Sequence, residues 1–444
     1  MQSIDKPLML RPRIPAAIIL ALGALSLAQT GPAQAQSSNQ SDDITYRVEP
    51  GDTLYDLRRE YLLGANAAAA IARYNRIRNP RRIPIGKELR LPRDLLAYKP
   101  ARLRVRSFSG PVEIDGAVPQ PGAEIAEGAL VTTGARGFIS FVSDAGSSIS
   151  LPSNSRARLD RARIYKLRDL RDISFTILDG RGEVTVPSLK EGERFDTGTP
   201  IAVTAVRGTT FRVAHDGQSE RSLTEVVEGK VSVANEAGET LATEGFGLAA
   251  TQSGPGTPEE LLSAVDVEDA GRVQTGEIVE FVLAPPQGAV ASRTQIARDA
   301  GFLEIVAEEI GSDQQADFAD LENGRYFVRS RAIAESGLEG FAEVYSFRRK
   351  RLGVSASVEE SELDDAFKFA WLPEGEGSVL YAFQLWREGD QDRMLVDELA
   401  PAGGSLLLSG LEPGTYIWRV AAMQADEGDW LKVWGPEQRL NVSE

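Results

Sequence analysis

The sequence predicts a multidomain, mainly β protein, and three observations lead to this fold class. The chain has 444 residues, which is enough for three or four domains of ordinary size. From residue 103 to residue 251, short runs alternate between apolar and polar residues, and glycine-rich turns separate them. Near the C-terminus, a Leu-Glu-x-Gly-x-Tyr pattern occurs twice, 90 residues apart. Helical periodicity is confined to a short stretch near the N-terminus, so helices are expected to be a minor component.

The first residues have the composition of an export signal. Basic residues precede Ile14, an apolar run continues to Ala28, and a small-residue cleavage site ends at Ala35. This pattern predicts a signal peptide over residues 1–35 and a mature chain in the periplasm. The alternative is an uncleaved anchor, but the apolar run is shorter than the roughly 20 residues that a membrane-spanning helix needs.

Composition and charge restrict the possible functions. There is no cysteine and a single histidine, His215, which excludes thiolate nucleophiles, disulfides and multi-histidine zinc centres. We expect His215 to be a solvated turn residue, and we expect no enzyme activity, no cofactor and no metal. Residues 42–106 carry a net charge of +7, whereas residues 251–444 carry −20. The two ends are therefore expected to meet different partners, and nucleic acid is not expected among them, although the acidic half can equally be a solvated surface.

The basic stretch predicts a small βααβ unit over residues 44–94. Asp52 or Thr53 can cap the first helix, and Asn75 can end the second, which is rich in alanine. The predicted elements are a strand over residues 45–48, a helix that begins near residue 53, a helix over residues 65–74 and a strand over residues 87–91.

This unit resembles a LysM domain, the module that binds glycans containing N-acetylglucosamine, such as peptidoglycan. The resemblance implies a shallow groove between the loop after the first strand and the loop before the last strand. Backbone amides and small side chains suit the acetamido group of the sugar, because they offer donors and acceptors without filling the groove. The glycan-binding residues that the resemblance implies are Gly51, Asp52, Thr53, Leu54, Ile77, Arg78, Asn79 and Pro80.

One departure from the usual LysM pattern is the number of arginines around the second loop. A neutral glycan does not require these side chains. They either meet the carboxylates of peptidoglycan stems, which the planar guanidinium recognises well, or form a solvated surface. The arginines concerned are Arg73, Arg76, Arg78, Arg81 and Arg82.

The all-β segment over residues 103–251 resembles a FecR-type domain. The resemblance implies a periplasmic scaffold or interaction module, and whether it signals is left open. We expect Arg207 to have a structural role, for example by pairing with Asp196. The motifs that carry the likeness include Gly128 to Gly134, Leu178 to Gly182, Phe195 to Pro200, Val206 to Phe211 and Val227 to Val233.

The repeated pattern near the C-terminus resembles the tyrosine-bearing strand of fibronectin type III-like sandwiches. It predicts two β-sandwich domains, over residues 271–350 and 351–444, after a linker over residues 252–270 that contains one helical turn. All five tryptophans of the chain lie in the second sandwich, and the prediction concerns four of them, Trp371, Trp386, Trp418 and Trp434. They are expected in its core, with an aromatic platform for sugar as the alternative.

These features together lead to one functional prediction and two alternatives. We expect a periplasmic, cell-wall-associated protein that anchors to peptidoglycan without catalysis and presents its β domains to an unidentified envelope protein. A regulatory or sensor component of FecR-type signalling is the first alternative. A carbohydrate-active enzyme with an unrecognised site is the second.

Overall fold

The computed structural model describes residues 43–206, 208–363, 365–400 and 403–443, and it confirms the mainly β fold class. The predicted signal peptide and Arg207 lie outside the described residues. In the N-terminal unit, a two-stranded antiparallel sheet and two helices enclose Ile71 and Leu89, both fully buried. The predicted βααβ order is confirmed, with each boundary within two residues of the prediction. The elements are β1 (Asp43–Arg47), α1 (Leu54–Tyr61), α2 (Ala67–Tyr74) and β2 (Glu88–Pro92).

The central segment forms two sheets around one apolar core. Phe141, Phe175 and Phe211 are fully buried there. Its strands are β3 (Tyr98–Pro100), β4 (Leu103–Ser109), β5 (Val112–Ile114), β6 (Leu130–Thr133), β7 (Phe138–Ser143), β8 (Ser148–Leu151), β9 (Arg156–Tyr165), β10 (Leu170–Val186), β11 (Arg194–Gly198), β12 (Val203–Val206), β13 (Thr209–Asp216), β14 (Arg221–Glu228), β15 (Lys230–Asn235), β16 (Gly238–Thr243), β17 (Phe246–Thr251), β18 (Gly254–Pro255) and β19 (Glu259–Glu260).

Strand β10 connects the two sheets because it is long enough to belong to both. Its first half pairs with β9 and β11, and its second half pairs with β8 and β13. The change occurs at Gly180, which has a φ of +78°. A β-carbon at this position would lie 2.4 Å from the carbonyl oxygen of Asn154, so only glycine fits the crossing.

Three sequence-based expectations about this region need correction or comment. Residues 252–270 contain no helical turn; β18 and β19 pair with β17 and extend the central sheets instead. His215 is not a solvated turn residue, because it lies inside β13, is buried, and contacts the Ser222 hydroxyl at 3.0 Å. A buried hydroxyl partner satisfies the ring nitrogen that a turn would have left to water. The expected partner of Asp196, Arg207, lies outside the described residues. Among the described residues, Arg161 and Arg194 form ion pairs with the Asp196 carboxylate.

The C-terminal part forms two β-sandwiches, each with a three-stranded and a five-stranded sheet. The first contains β20 (Asp266–Val267), β21 (Val273–Gln274), β22 (Val279–Ala284), β23 (Ala289–Ala297), β24 (Ile305–Gly311), β25 (Gln315–Phe318), β26 (Gly324–Ala334) and β27 (Val344–Arg349). The second contains β28 (Leu352–Glu360), β29 (Ala366–Gly375), β30 (Leu380–Arg387), β31 (Met394–Ala400), β32 (Ser405–Ser409), β33 (Gly414–Asp426), β34 (Asp429–Trp434) and β35 (Gln438–Val442).

The repeated sequence pattern places one tyrosine at the same point of each sandwich. The Tyr326 hydroxyl donates to the carbonyl oxygen of Glu322 at 3.0 Å, and the Tyr416 hydroxyl donates to that of Glu412 at 2.7 Å. Both rings are buried. The two sandwiches therefore share a tyrosine corner, as the repeat predicts.

The tryptophans of the second sandwich lie mostly in its core. Trp371, Trp386 and Trp418 are buried, which confirms the core expectation for them. Trp434 is half-buried, and the guanidinium of Arg419 lies 4.5 Å from the centre of its ring. This cation occupies a ring face that a sugar platform would need.

Adjacent domains are joined by side chains that are buried between them. Tyr165 and Leu170, from the β9–β10 hairpin, belong to the same apolar cluster as the core of the N-terminal unit. Phe138 of β7 packs with Phe302 and Ile305 of the first sandwich. The central domain therefore has an apolar contact with a domain on each side, in addition to the chain connection.

Candidate glycan-binding groove

Two loops of the N-terminal unit meet at the position that the sequence predicts for a groove. The first loop (residues 48–53) joins β1 to α1, and the second loop (residues 75–87) joins α2 to β2. The backbone amide of Leu54 donates to the carbonyl oxygen of Pro80 at 3.0 Å. This hydrogen bond holds the two loops side by side.

The first loop is shaped by the side chain of Asp52. Its Oδ2 atom accepts hydrogen bonds from the Tyr46 hydroxyl and from the Glu49 amide, each at 2.7 Å. Burial and the Asp52 carboxylate raise the pKa of Tyr46, so this hydroxyl stays protonated and remains a donor. The Asp52 carboxylate thus closes the turn and has one oxygen engaged within the protein.

Thr53 forms the N-cap of α1. Its Oγ1 atom accepts from the Asp56 amide at 3.1 Å, and its hydroxyl donates to the Asp56 carboxylate at 2.6 Å. This arrangement satisfies one of the free amides of the first helical turn and confirms that Thr53, rather than Asp52, is the cap.

The second loop is held by Asn75, whose side chain links the end of α2 to β2. Its Nδ2 atom donates to the carbonyl oxygen of Arg90 at 2.8 Å, and its Oδ1 atom accepts from the Arg90 amide at 2.7 Å. Farther along, the Asn79 side chain accepts from the Arg81 amide at 3.0 Å. Both contacts keep the loop backbone in place without a ligand.

The eight residues expected to bind glycan differ in what they offer to a ligand. Gly51, Arg78 and Asn79 are exposed, whereas Asp52, Thr53, Ile77 and Pro80 are half-buried. Leu54 is fully buried and its amide is engaged, so it supports the groove from below.

Backbone amides of the two loops are candidate donors to a ligand. Among the described residues, no acceptor lies within hydrogen-bond distance of the amides of Gly51, Thr53, Arg78 or Asn79. These amides come from both loops and flank the Leu54–Pro80 contact. The groove therefore presents unsatisfied donors on both of its sides.

Tyr55 was not among the residues expected from the sequence. It is 52% exposed in the first turn of α1, and the guanidinium of Arg81 lies 6.0 Å from the centre of its ring. The sequence signal for Tyr55 is an aromatic residue two positions after the N-cap Thr53. Its ring adds an apolar surface beside the groove.

The motifs of the central domain that resemble the FecR type contain residues with structural roles. Gly229 lies against Gly208, so that a β-carbon on Gly229 would be 2.8 Å from the Gly208 carbonyl oxygen. Phe211 fills the core next to them.

In the part of the chain that the structure describes, no group of three or more His, Asp or Glu side chains is placed to hold a metal ion. No helix in that part is long and apolar enough to cross a membrane.

Comparison with protein families identifies two of the domains. Residues 46–92 match the model of the LysM domain, and residues 129–232 match the model of the FecR protein family. No curated protein matches the chain.

Three solved structures have distant similarity to parts of this chain. Two crystal structures of a candidate anti-sigma factor from Parabacteroides distasonis are 17% identical over 30% of this chain, with TM-scores of 0.26 and 0.25. The match spans 59% of the length of each of those chains. The FN1–FN3 domains of chicken CNTN1 are 11% identical over 60% of this chain and 99% of theirs, with a TM-score of 0.23. From the family matches and the fold together, the chain contains a LysM domain and a FecR domain, followed by two β-sandwiches.

Proposed function

We propose that this protein binds the glycan strands of peptidoglycan through its LysM groove and has no catalytic activity. The observation that carries the proposal is the Leu54–Pro80 hydrogen bond, which joins the two loops and leaves unsatisfied amides on each side. These amides can donate to the carbonyl oxygens of acetamido groups. LysM and FecR domains are binding and regulatory modules, and both are typical of extracytoplasmic bacterial proteins.

The energetics suit a polymeric ligand. Each neutral hydrogen bond between an amide and a sugar contributes about 0.5–1.5 kcal/mol net, so a few of them give weak binding to a short oligosaccharide. A wall polymer presents many identical sites, and the resulting effective concentration retains a protein that binds each site weakly. The predicted location in the periplasm, after removal of residues 1–35, gives access to that polymer.

The remaining domains support a role as a presenting scaffold. The LysM domain is packed against the central domain, and Arg93 Nη2 donates to the carbonyl oxygen of Gly192 at 2.8 Å across this contact. The acidic sandwiches, which lie at the other end of the chain, are repelled by an anionic wall. We therefore expect the β domains to be held away from the wall, available to an envelope protein.

A regulatory role is the second candidate, and the FecR match over residues 129–232 favours it. In that case the central domain transmits a signal to a protein partner in the envelope. Crosslinking in the periplasm tests this candidate: recovery of a sigma-regulating or transport protein supports signalling, and recovery of wall-assembly proteins alone contradicts it.

The glycan-binding proposal is tested by NMR on the mature chain labelled with ¹⁵N-glycine and ¹⁵N-asparagine. Chitotetraose should shift the amide signals of Gly51 and Asn79. The amides of Gly238, at the exposed start of β16, and of Gly389, in an exposed turn of the second sandwich, should not move. Sedimentation with purified sacculi is the second measurement. The proposal is wrong if neither chitotetraose nor sacculi perturb the two groove amides.

A further inference from the structure

We propose that the LysM groove selects glycan strands that carry peptide stems with free carboxylates, and that arginines of the second loop make this selection. The inference rests on the proposed function, because the same groove holds the sugar chain. It adds a second element of recognition, directed at the charge of the stems rather than at the sugar. A neutral glycan then binds only through the amides.

The charge of this segment is entirely of one sign. From Arg73, in the last turn of α2, to Lys87, just before β2, the chain has six basic residues and no acidic one. The segment includes the whole second loop, which forms one side of the groove. Arg78 lies between Ile77 and Asn79, so its side chain begins within the predicted binding residues themselves.

Most of these arginines have no acidic partner in the part of the chain that the structure describes. Among the described residues, no carboxylate lies within ion-pair distance of Arg73, Arg76, Arg78 or Arg82, and all four are exposed. Elsewhere in the same domain, Arg90 pairs with Asp43 at 2.7 Å. Arg47 and Arg58 of the same domain also have no carboxylate partner among the described residues, so what distinguishes the groove side is the concentration of such guanidiniums in and beside the second loop.

The remaining arginine of the loop extends the charged surface toward the first loop. Arg81 lies over the exposed ring of Tyr55, across the groove from its own loop. The two loops are already joined by the Leu54–Pro80 hydrogen bond. A ligand that occupies the groove consequently lies within reach of guanidiniums from the side of the second loop.

The chemistry of the guanidinium favours carboxylates as the occupants. Its planar fork of donors matches the two oxygens of a carboxylate, and such charge-assisted hydrogen bonds are stronger than neutral ones. Anionic lipid also offers negative charge, but it supplies no acetamido groups for the neighbouring amides. Peptidoglycan with peptide stems supplies both carboxylates and acetamido groups. It is therefore the ligand that matches both the arginines and the backbone amides of the groove.

The test compares three ligands on the full mature chain by titration calorimetry. The ligands are chitotetraose, a murein tetrasaccharide with tetrapeptide stems, and the same fragment with its stem carboxylates amidated. The wild-type chain should bind the free-acid fragment about fivefold more tightly than the amidated one, since exposed ion pairs contribute up to about 1 kcal/mol each. This preference should fall as salt concentration rises.

The double variant Arg76→Gln and Arg82→Gln should lose this preference and retain its affinity for chitotetraose, because neither residue is among those expected to contact the sugar. The matched control is Arg156→Gln with Arg393→Gln, two exposed arginines of other domains that have no carboxylate partner among the described residues. The control should behave as the wild type.

The possible outcomes separate the inference from the function on which it rests. Equal affinity for the free-acid and amidated fragments, with chitotetraose bound, overturns the inference and leaves the glycan-binding function intact. Failure to bind all three ligands overturns both. Binding of the chain to anionic phospholipid vesicles that is lost in the double variant, without any preference among the murein fragments, assigns the arginines to a membrane and also overturns the inference.

Discussion

Arg329 of the first sandwich and Glu183 of the FecR domain form a two-point ion pair across the contact between their domains. The distances are 3.2 Å from Nη1 to Oε1 and 2.8 Å from Nη2 to Oε2. Arg331 donates to the same carboxylate at 2.7 Å. Both arginines are buried, so Glu183 supplies the countercharge that keeps two guanidiniums stable away from water.

We predict that Glu183→Gln destabilises the protein by about 3 kcal/mol, because it leaves two buried guanidiniums without their shared carboxylate. Urea unfolding followed by fluorescence measures the change. The matched control is Glu236→Gln, at an exposed position in the β15–β16 turn, which should change the free energy of unfolding by less than about 0.5 kcal/mol. Equal stability of the two variants would show that the ion pair contributes nothing net.

The same cluster predicts how stability depends on pH. Burial alone raises the pKa of Glu183, but Arg329 and Arg331 outweigh it and hold the pKa below its usual value. A carboxyl whose pKa is lowered by folding stabilises the protein above its unfolded pKa. The free energy of unfolding should therefore fall as the pH drops below about 4.3.

Unfolding in urea at a series of pH values tests this dependence. Below the unfolded pKa, the free energy of unfolding should fall less steeply with decreasing pH in Glu183→Gln, because that variant lacks one of the groups that take up a proton. Asp196, whose pKa is raised by burial, acts in the opposite direction and is present in both chains. An identical slope in both chains argues against a lowered pKa at Glu183.

The tyrosine corner predicts a local loss of stability in the second sandwich. Tyr416→Phe removes the donor to the Glu412 carbonyl oxygen and should cost about 1–2 kcal/mol. Tyr381→Phe is the matched control, since Tyr381 is a buried residue whose hydroxyl bonds none of the described residues. Thermal unfolding monitored by tryptophan fluorescence reports on this domain, where Trp371 and Trp418 are buried. A similar loss in both variants would assign the effect to packing.

The crossing strand predicts a steric requirement at Gly180. Gly180→Ala has two costs: the added methyl group clashes with the Asn154 carbonyl oxygen, and alanine is strained at a positive φ. Together they should lower the free energy of unfolding by about 2 kcal/mol or more. Gly116→Ala isolates the backbone effect, because Gly116 has a φ of +79° and open space around its α-carbon. That control should cost about 1 kcal/mol. Chemical denaturation of both variants gives the difference, and equal costs would mean that the strand shifts to accommodate the methyl group.

Local patterns in the sequence were sufficient for the elements of the LysM domain and for the tyrosine corners. The cap of α1, which the sequence left open between Asp52 and Thr53, and the end of α2 at Asn75 depend on residues within a few positions, and such short-range signals can be read in a single chain. The glycan-binding residues were reached through the resemblance, and they remain a proposal. Tyr55 and the engaged amide of Leu54 were missed, because exposure and hydrogen-bond partners depend on how the two loops approach each other.

The sequence by itself determined the mainly β fold class, the order of the domains and the positive charge of the second loop, because periodicity, repeats and charge are properties of neighbouring residues. Only the tertiary structure decided that His215 is buried, that residues 254–260 extend the central sheets, and that Glu183 meets Arg329. The contact of Glu183 with Arg329 joins residues 146 positions apart, which meet only when two domains pack together. The other two involve residues that are close in the chain, but the burial of His215 and the pairing of residues 254–260 depend on how the central sheets are assembled. Such contacts leave no periodic trace in the segments that make them.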